Sequence, residues 1–469
     1  QVQGLSIAQL GLISSAQVAG FTPTNIVGLT TDQIASIATG AIPSIETIDL
    51  VALRTGQLLG LNSTQIETLS ATQFAAFTSQ QVSAFSTTQI ANFSSETIAS
   101  LTTANIKGLT ALQMSAIATA SLGGLETRGV SALSSTQVAG FTSKQVSAFS
   151  SDLVRALNST TIRGLSSTQV GSISTAAIAG FEAVDLAALA TTQVIGFTTD
   201  QVAQLSTAQV AAFTSAQIAS LLTAQIGGLS SSQIAALTTV SVVGLTSRQI
   251  GAIGTTAIQG FESRDLVVLS SAQMRGLTSD QASTLSSDQV AAFTSGSIAG
   301  LGSAQFATLS SAALRGLETR DLAALSSSQL AGMSSSQVST LSAAFIAALS
   351  SKQLSAFTTS QIASFASDQI VGLSTANIRG LGTAQVAAIS TTVVASIVDV
   401  DLAALSSTQV SGFTSDQLGK LSSAQLGALT SANIVGLSST QVAGIASAAI
   451  AGLETRDIRA MLGSQFGGF

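Results

Sequence analysis

The sequence predicts an all-α solenoid of very short helices of one to two turns, one per eight-residue repeat, with about 3.4 repeats per coil. Three observations point to it. Every eighth residue from Leu5 (Ile13, Phe21, Leu29, and on to Met461 and Phe469) is Leu, Ile, Phe or Met at all 59 positions. A second series at the same period, from Val2 through Leu10 and Val18 to Phe466, is apolar throughout, with Ala282 its smallest member. The residue before that second series is Gln in 35 of 59 members, and no insertion or deletion breaks the period.

Neither long regular structure fits. A strand needs two-residue alternation, whereas the two series stand five and three residues apart and would fall on opposite faces. On a continuous α-helix, eight residues at ~100° each would drift the apolar stripe by about 80° per repeat, so it would face no single partner.

Read in order, the octad is a complete helix specification. Leu or Phe stands before the helix. Ser or Thr follows as the N-cap, its hydroxyl taking the backbone N–H three residues on, and Gln at that third position reaches back to the cap N–H: a capping box. Val or Ile comes next and packs on the Leu/Phe before the cap as a hydrophobic staple. Gly or Ala then allows a tight turn out of the helix. Pro23, in FTPTNIVGL, falls at the first helical position, where proline belongs, while Pro43 sits late in its octad. A helix this short does not hold by itself, because nucleation outweighs the few bonds gained. Octads therefore stack, with Leu/Phe and Val/Ile inside and the polar positions outside.

A longer period overlies the octad. Acidic residues replace the cap and the Gln in ETID (Glu46, Asp49), EAVD (Glu182, Asp185), ESRD (Glu262, Arg264, Asp265), ETRD (Glu318, Arg320, Asp321) and ETRD (Glu454, Arg456, Asp457). ETRG (Glu126, Arg128) and VDVD (Asp399, Asp401) are degenerate versions. These seven octads begin at 46, 126, 182, 262, 318, 398 and 454, at spacings of 80 and 56 in turn, so the superrepeat is 136 residues. The octad before each lacks Gln, and three octads before each the Gln is replaced again, by Asn25, Asn105, Thr161, Ser241, Ser297, Asn377 and Asn433. With about 3.4 octads per turn, ten octads make nearly three turns and seven make two, so the acidic octads fall near one line.

Composition narrows the function. The 469 residues include no His, Cys, Trp or Tyr, and 8% are charged, for a net charge of −6. Sixteen scattered cations are no nucleic-acid footprint. Without Cys there are no disulfides or thiolate metal sites. Polar residues interrupt every apolar run short of a bilayer span, so no transmembrane segment is expected. No serine has a base beside it, and no phosphate-binding glycine pattern follows a strand, so no catalytic, cofactor or metal site and no enzyme activity are expected. The acidic octads are candidate lateral or assembly contacts; capping variants suited to the helix dipole are the alternative. Calcium would want six to eight oxygens, and the Arg within E-T-R-D argues against a cation.

Two resemblances add to this. FTPTNIVGL and STQVAGI resemble the opening of transcription-activator-like effector repeats, but the period of eight and the negative charge set that DNA-binding family aside. Runs of LSxxQVxx octads resemble the arrays of large exported bacterial surface and adhesin-like proteins. That resemblance implies an extracellular, cell-surface stalk or polymerising body. The chain is expected to be a single continuous solenoid over 1–469, part of a longer chain or an end-to-end polymer, forming a rod, filament or sheath with itself as partner. The alternative is an adhesive surface in which Ser/Thr rows meet a glycan, a polysaccharide or ice.

Overall fold

A computed structural model of the chain describes residues 2–468; Gln1, at the Gln position, and Phe469, the last of the Leu/Phe series, lie outside the described residues. Each octad forms one helical segment. Among the described residues there are 46 α-helical and 13 3-10 segments and no strand. The octad is thus the structural unit, and the all-α solenoid of short helices stands.

Its local signals work as the residue types require. In the helix Thr207–Ala211, the Ser206 hydroxyl accepts the Gln209 N–H at 3.2 Å, and the Ser206 N–H donates to Gln209 Oε1 at 2.8 Å. The helix closes when the Phe213 N–H donates to the Val210 carbonyl at 3.2 Å. Both apolar series are buried, except near the two ends and at Leu317. Phe rings of successive octads meet edge to face, Phe77, Phe85 and Phe93 at 5.5 Å spacings.

Where the superrepeat removes Gln ahead of an acidic octad, most segments change type, while those with Asn25, Ser241, Ser297 and Ala313 stay α-helical. Of the 13 3-10 segments, ten lie in the octad before an acidic octad or in the octad three before it, among them Thr175–Gly180, Ile162–Gly164 and Ile378–Gly380. With no Gln to bridge back to the cap, or only a shorter side chain there, the turn tightens to i→i+3 bonding. Pro43 lies inside such a segment, Thr39–Ser44, which accounts for its late position.

The residue before Leu/Phe sets helix length. Of 18 α-helices six or seven residues long, only Ser327–Gly332 has Gly there; of 12 four-residue α-helices, nine have Gly two residues beyond their last residue. These turns are not left-handed: among the described residues no glycine has positive φ. The glycines instead permit close approach of coils. A Cβ added at Gly108 would lie 1.9 Å from the Ser79 carbonyl oxygen, and one at Gly452 1.9 Å from that of Ser423, each 29 residues earlier.

Two compact units make up the chain, the first ending at Leu229 and the second beginning at Ser230. Within the first, Ser95–Ala99 packs on Thr119–Leu125 and Ser151–Arg155 on Thr175–Gly180; within the second, Ser279–Ser283 packs on Ser303–Thr308 and Ser303–Thr308 on Ser327–Gly332. All are pairs three octads apart.

The expectation that every polar position faces outward is corrected here, because Gln is buried. Its Oε1 serves the cap while its Nε2 crosses to the carbonyls 28 and 31 residues earlier, four octads back. Gln57 donates to Leu29 at 2.7 Å and Ile26 at 3.0 Å; Gln209 donates to Phe181 and Ile178 at 2.8 and 2.9 Å. The second unit repeats the register, from Gln273 on Leu245 and Val242 to Gln465 on Leu437 and Ile434. Contacts at three octads and hydrogen bonds at four bracket a coil of 3.4. A buried amide that satisfies a helix start at one end and a neighbouring coil at the other leaves little polar surface orphaned, which is what a solenoid core needs.

Candidate assembly surface at the acidic octads

The acidic octads enter the fold as ordinary octads, so their residues divide by position. Those at the cap and the two following positions point outward: Glu46, Glu126, Arg128, Glu182, Glu262, Arg264, Glu318, Arg320, Asp399, Glu454 and Arg456 are all exposed. Those at the Gln position point inward: Asp49, Asp185, Asp265, Asp321, Asp401 and Asp457 are at most 4% exposed. In the degenerate octad 126–133 that position is Gly129, and Glu126 alone among the described non-glycine residues takes a positive φ, 47°.

On the outer face the charges pair locally. Arg128 meets Glu126 at 2.8 Å, Arg264 meets Glu262 at 3.0 Å, Arg320 meets Glu318 at 3.1 Å and Arg456 meets Glu454 at 3.0 Å. Each pair is about half exposed, where such contacts add little stability. The same arginines also strap coils together: Arg264 and Arg320 donate to the Ala235 and Ala291 carbonyls at 3.2 Å, 29 residues earlier. Octads 182–189 and 398–405 have Val184 and Val400 in place of this Arg. They receive a strap from three octads earlier instead, Arg163 donating to Ala188 at 3.1 Å and Arg379 to Ala404 at 3.3 Å.

Beneath the surface the aspartates are poorly served. Both carboxylate oxygens of Asp49 and Asp321, and one each of Asp265, Asp401 and Asp457, are buried without a hydrogen-bond partner. Burial pushes the carboxyls of Asp49, Asp265, Asp321 and Asp401 above the usual range, and that of Asp185 up to about 6, with Glu182 adding to it. Arg264 and Arg320, at 3.7 and 3.9 Å, oppose the rise at Asp265 and Asp321.

Apolar side chains gather on the same octads. Of 19 exposed large hydrophobics among the described residues, eight belong to these seven octads: Ile48, Val51, Val184, Val267, Val268, Val398, Val400 and Ile458. Sequence reasoning singled out the charges and passed over these neighbours, although for all but Ile458, a member of the inner apolar series, the outward position in the octad was readable. Among the described residues, no cluster of three or more His, Cys, Asp or Glu forms that could hold a metal ion, and no helix is long and apolar enough to cross a membrane.

Comparison with known families matches the ALTTAQ repeat at residues 42–79, 114–151, 178–215, 211–239, 258–295, 314–351, 362–398 and 394–431, together more than half of the chain. Five of these segments begin four residues before an acidic octad, at 42, 178, 258, 314 and 394. Comparison with curated proteins finds no match.

Proposed function

The chain belongs to the ALTTAQ repeat family, and on that premise we propose that it is a non-catalytic structural protein. It forms an elongated rod, filament, stalk or sheath at a bacterial cell surface, outside the cell, and assembles by lateral and end-to-end contact between copies of itself. The octad register runs unbroken along the sequence, in keeping with one continuous array. The observation that carries the reading is the gathering of exposed Ile and Val with exposed Glu, Asp and Arg on five of the seven acidic octads. Exposed apolar side chains beside exposed charges are what one protein offers another. The contact role falls to the exposed residues; Asp49, Asp185, Asp265, Asp321, Asp401 and Asp457 act only from beneath.

Sedimentation and negative-stain microscopy of the full chain over rising concentration test this. Fibres or bundles are expected to grow with concentration and to weaken with Val184→Ser and Val400→Ser together. A chain that stays monomeric throughout would refute assembly. A second reading, a glycan-binding surface, is favoured by two equivalent grooves of ≈ 610 and ≈ 600 Å³. Arg163, Ser166 and Thr192 line one, and Arg379, Thr383 and Thr408 the other. Polysaccharide binding that is lost with Arg163→Ala and Arg379→Ala would favour it over assembly.

A further inference from the structure

The ladder between coils has periodic gaps. At Gln positions an amide lies between coils, donating to the Leu/Phe carbonyl 28 residues earlier, as Gln209 does to Phe181. Shorter amides do the same: Asn105 reaches Phe77 at 3.1 Å and Asn433 reaches Leu405 at 3.2 Å, while each Oδ1 accepts its cap N–H at 2.8 Å. A side chain of Asp length therefore spans this place in the fold. Aspartate differs from asparagine in one respect that matters here: ionised, it only accepts, so it brings no hydrogen to the carbonyls of the neighbouring coil. The buried oxygens without partners on Asp49, Asp265, Asp321, Asp401 and Asp457 are the mark of that mismatch.

Three of the six aspartates have no Arg in their octad. Around Asp49 the charges are Glu46 and, in the next octad, Arg54; the octads packed on either side, 14–29 and 70–85, carry none. Around Asp185 they are Glu182, Arg163, which is strapped to Ala188, and the pair Asp152–Arg155, closed on itself at 2.8 Å. Around Asp401 they are Asp399, Asp368 and Arg379, the last strapped to Ala404. None is placed as a partner for the buried carboxylate.

We propose that Asp49, Asp185 and Asp401 are acid-closed joints of the array. Each takes a proton from solvent, its carboxylic O–H donates to the carbonyl 28 residues earlier (Phe21, Leu157 and Leu373 by the register of the ladder), and loss of that proton opens the joint. Asp265 and Asp321, each with an Arg beside the carboxylate, are weaker versions. Burial raises all three carboxyls, Asp185 to about 6. A carboxyl raised on folding contributes stability that is complete below its unfolded value near 4 and is lost as pH rises through its folded value. For Asp185 that window is about pH 4 to about 6.

The test compares the full chain with the triple variant Asp49→Gln, Asp185→Gln, Asp401→Gln, which restores the amide found in most octads. Melting temperature is followed from about pH 5 to about pH 8, and the carbonyl stretch of buried carboxylic acid is read by infrared near the lower end. The unaltered chain is expected to melt lower as pH rises and to show the acid band. The variant is expected to lose most of that dependence, to melt higher at the upper end and to lack the band. A single Asp→Asn change at each site reads the same difference should the triple variant fold poorly. Three results would overturn the proposal: a melting temperature that does not fall with pH, a variant that keeps the full dependence, or calcium chloride restoring stability at high pH in the unaltered chain alone. The last would assign the slot to a metal cation.

Discussion

Gln145→Ala is expected to cost the first unit about 3–5 kcal/mol, the largest loss from any single polar substitution in the array. Gln145 is 2% exposed and has both ends occupied. Its Oε1 accepts the Thr142 N–H at 2.6 Å, and its Nε2 donates to Ile117 at 2.7 Å and Met114 at 2.8 Å. Alanine takes the partner from the Thr142 N–H on one coil and from the Ile117 carbonyl on the other, leaves the Met114 carbonyl with only the Ile117 N–H, and opens a void the width of the amide. An orphaned buried group costs about 1–3 kcal/mol, and the losses fall in one place. A solenoid's energetics are nearest-neighbour, so the effect is local. Hydrogen exchange should therefore report it first, at the Thr142 amide and in the octads three and four away, before the denaturation midpoint of the whole chain moves. Thr142→Ala removes only the cap and should cost about 1 kcal/mol. If the two variants lose the same stability, the crossing between coils contributes nothing.

Gly108→Ala is expected to cost about 2–4 kcal/mol, an unusual penalty for one methyl group in a helical segment. Alanine is ordinarily the better helix former, by about 1 kcal/mol. Here the added Cβ would sit 1.9 Å from the Ser79 carbonyl oxygen and 2.6 Å from its carbon, which is backbone and cannot rotate away. The coils must part, and the ladder bonds between them lengthen. Gly123→Ala is the control. Nothing lies within 4 Å of its added Cβ, its φ is not positive, and alanine there should be neutral or stabilising by about 0.4–1 kcal/mol. Urea denaturation of the two variants separates close approach from conformational freedom: equal effects would mean that the glycines act through the unfolded chain.

Much of the acidic surface could be read in the sequence, and the reason is physical. Glu262 and Arg264 stand at helix-start positions that face outward in every octad, so their exposure and pairing follow from the octad alone. The burial of Asp265 does not. Its position looks polar in the consensus because Gln fills it, yet the coil presses that position against carbonyls four octads back. The exposed Val267 and Val268 were readable in principle, as apolar residues at outward positions, but they stand out only once the inside of the coil is known.

The octad itself, its helix, its start and its stop, came from the sequence alone. Cap, capping-box partner, staple and closing turn all act within eight residues, and short-range bonding needs nothing from the rest of the chain. The superrepeat was visible for the same reason, since each loss of Gln is written within its own octad, and ten of the octads that lack it take 3-10 geometry ahead of the acidic octads. The second use of Gln, the closeness that Gly108 permits and the orphaned oxygens of Asp49 belong to the tertiary structure. Each depends on a backbone 28 to 31 residues away. A residue type shows which bonds it can make; only the winding of the coil decides which carbonyl stands opposite.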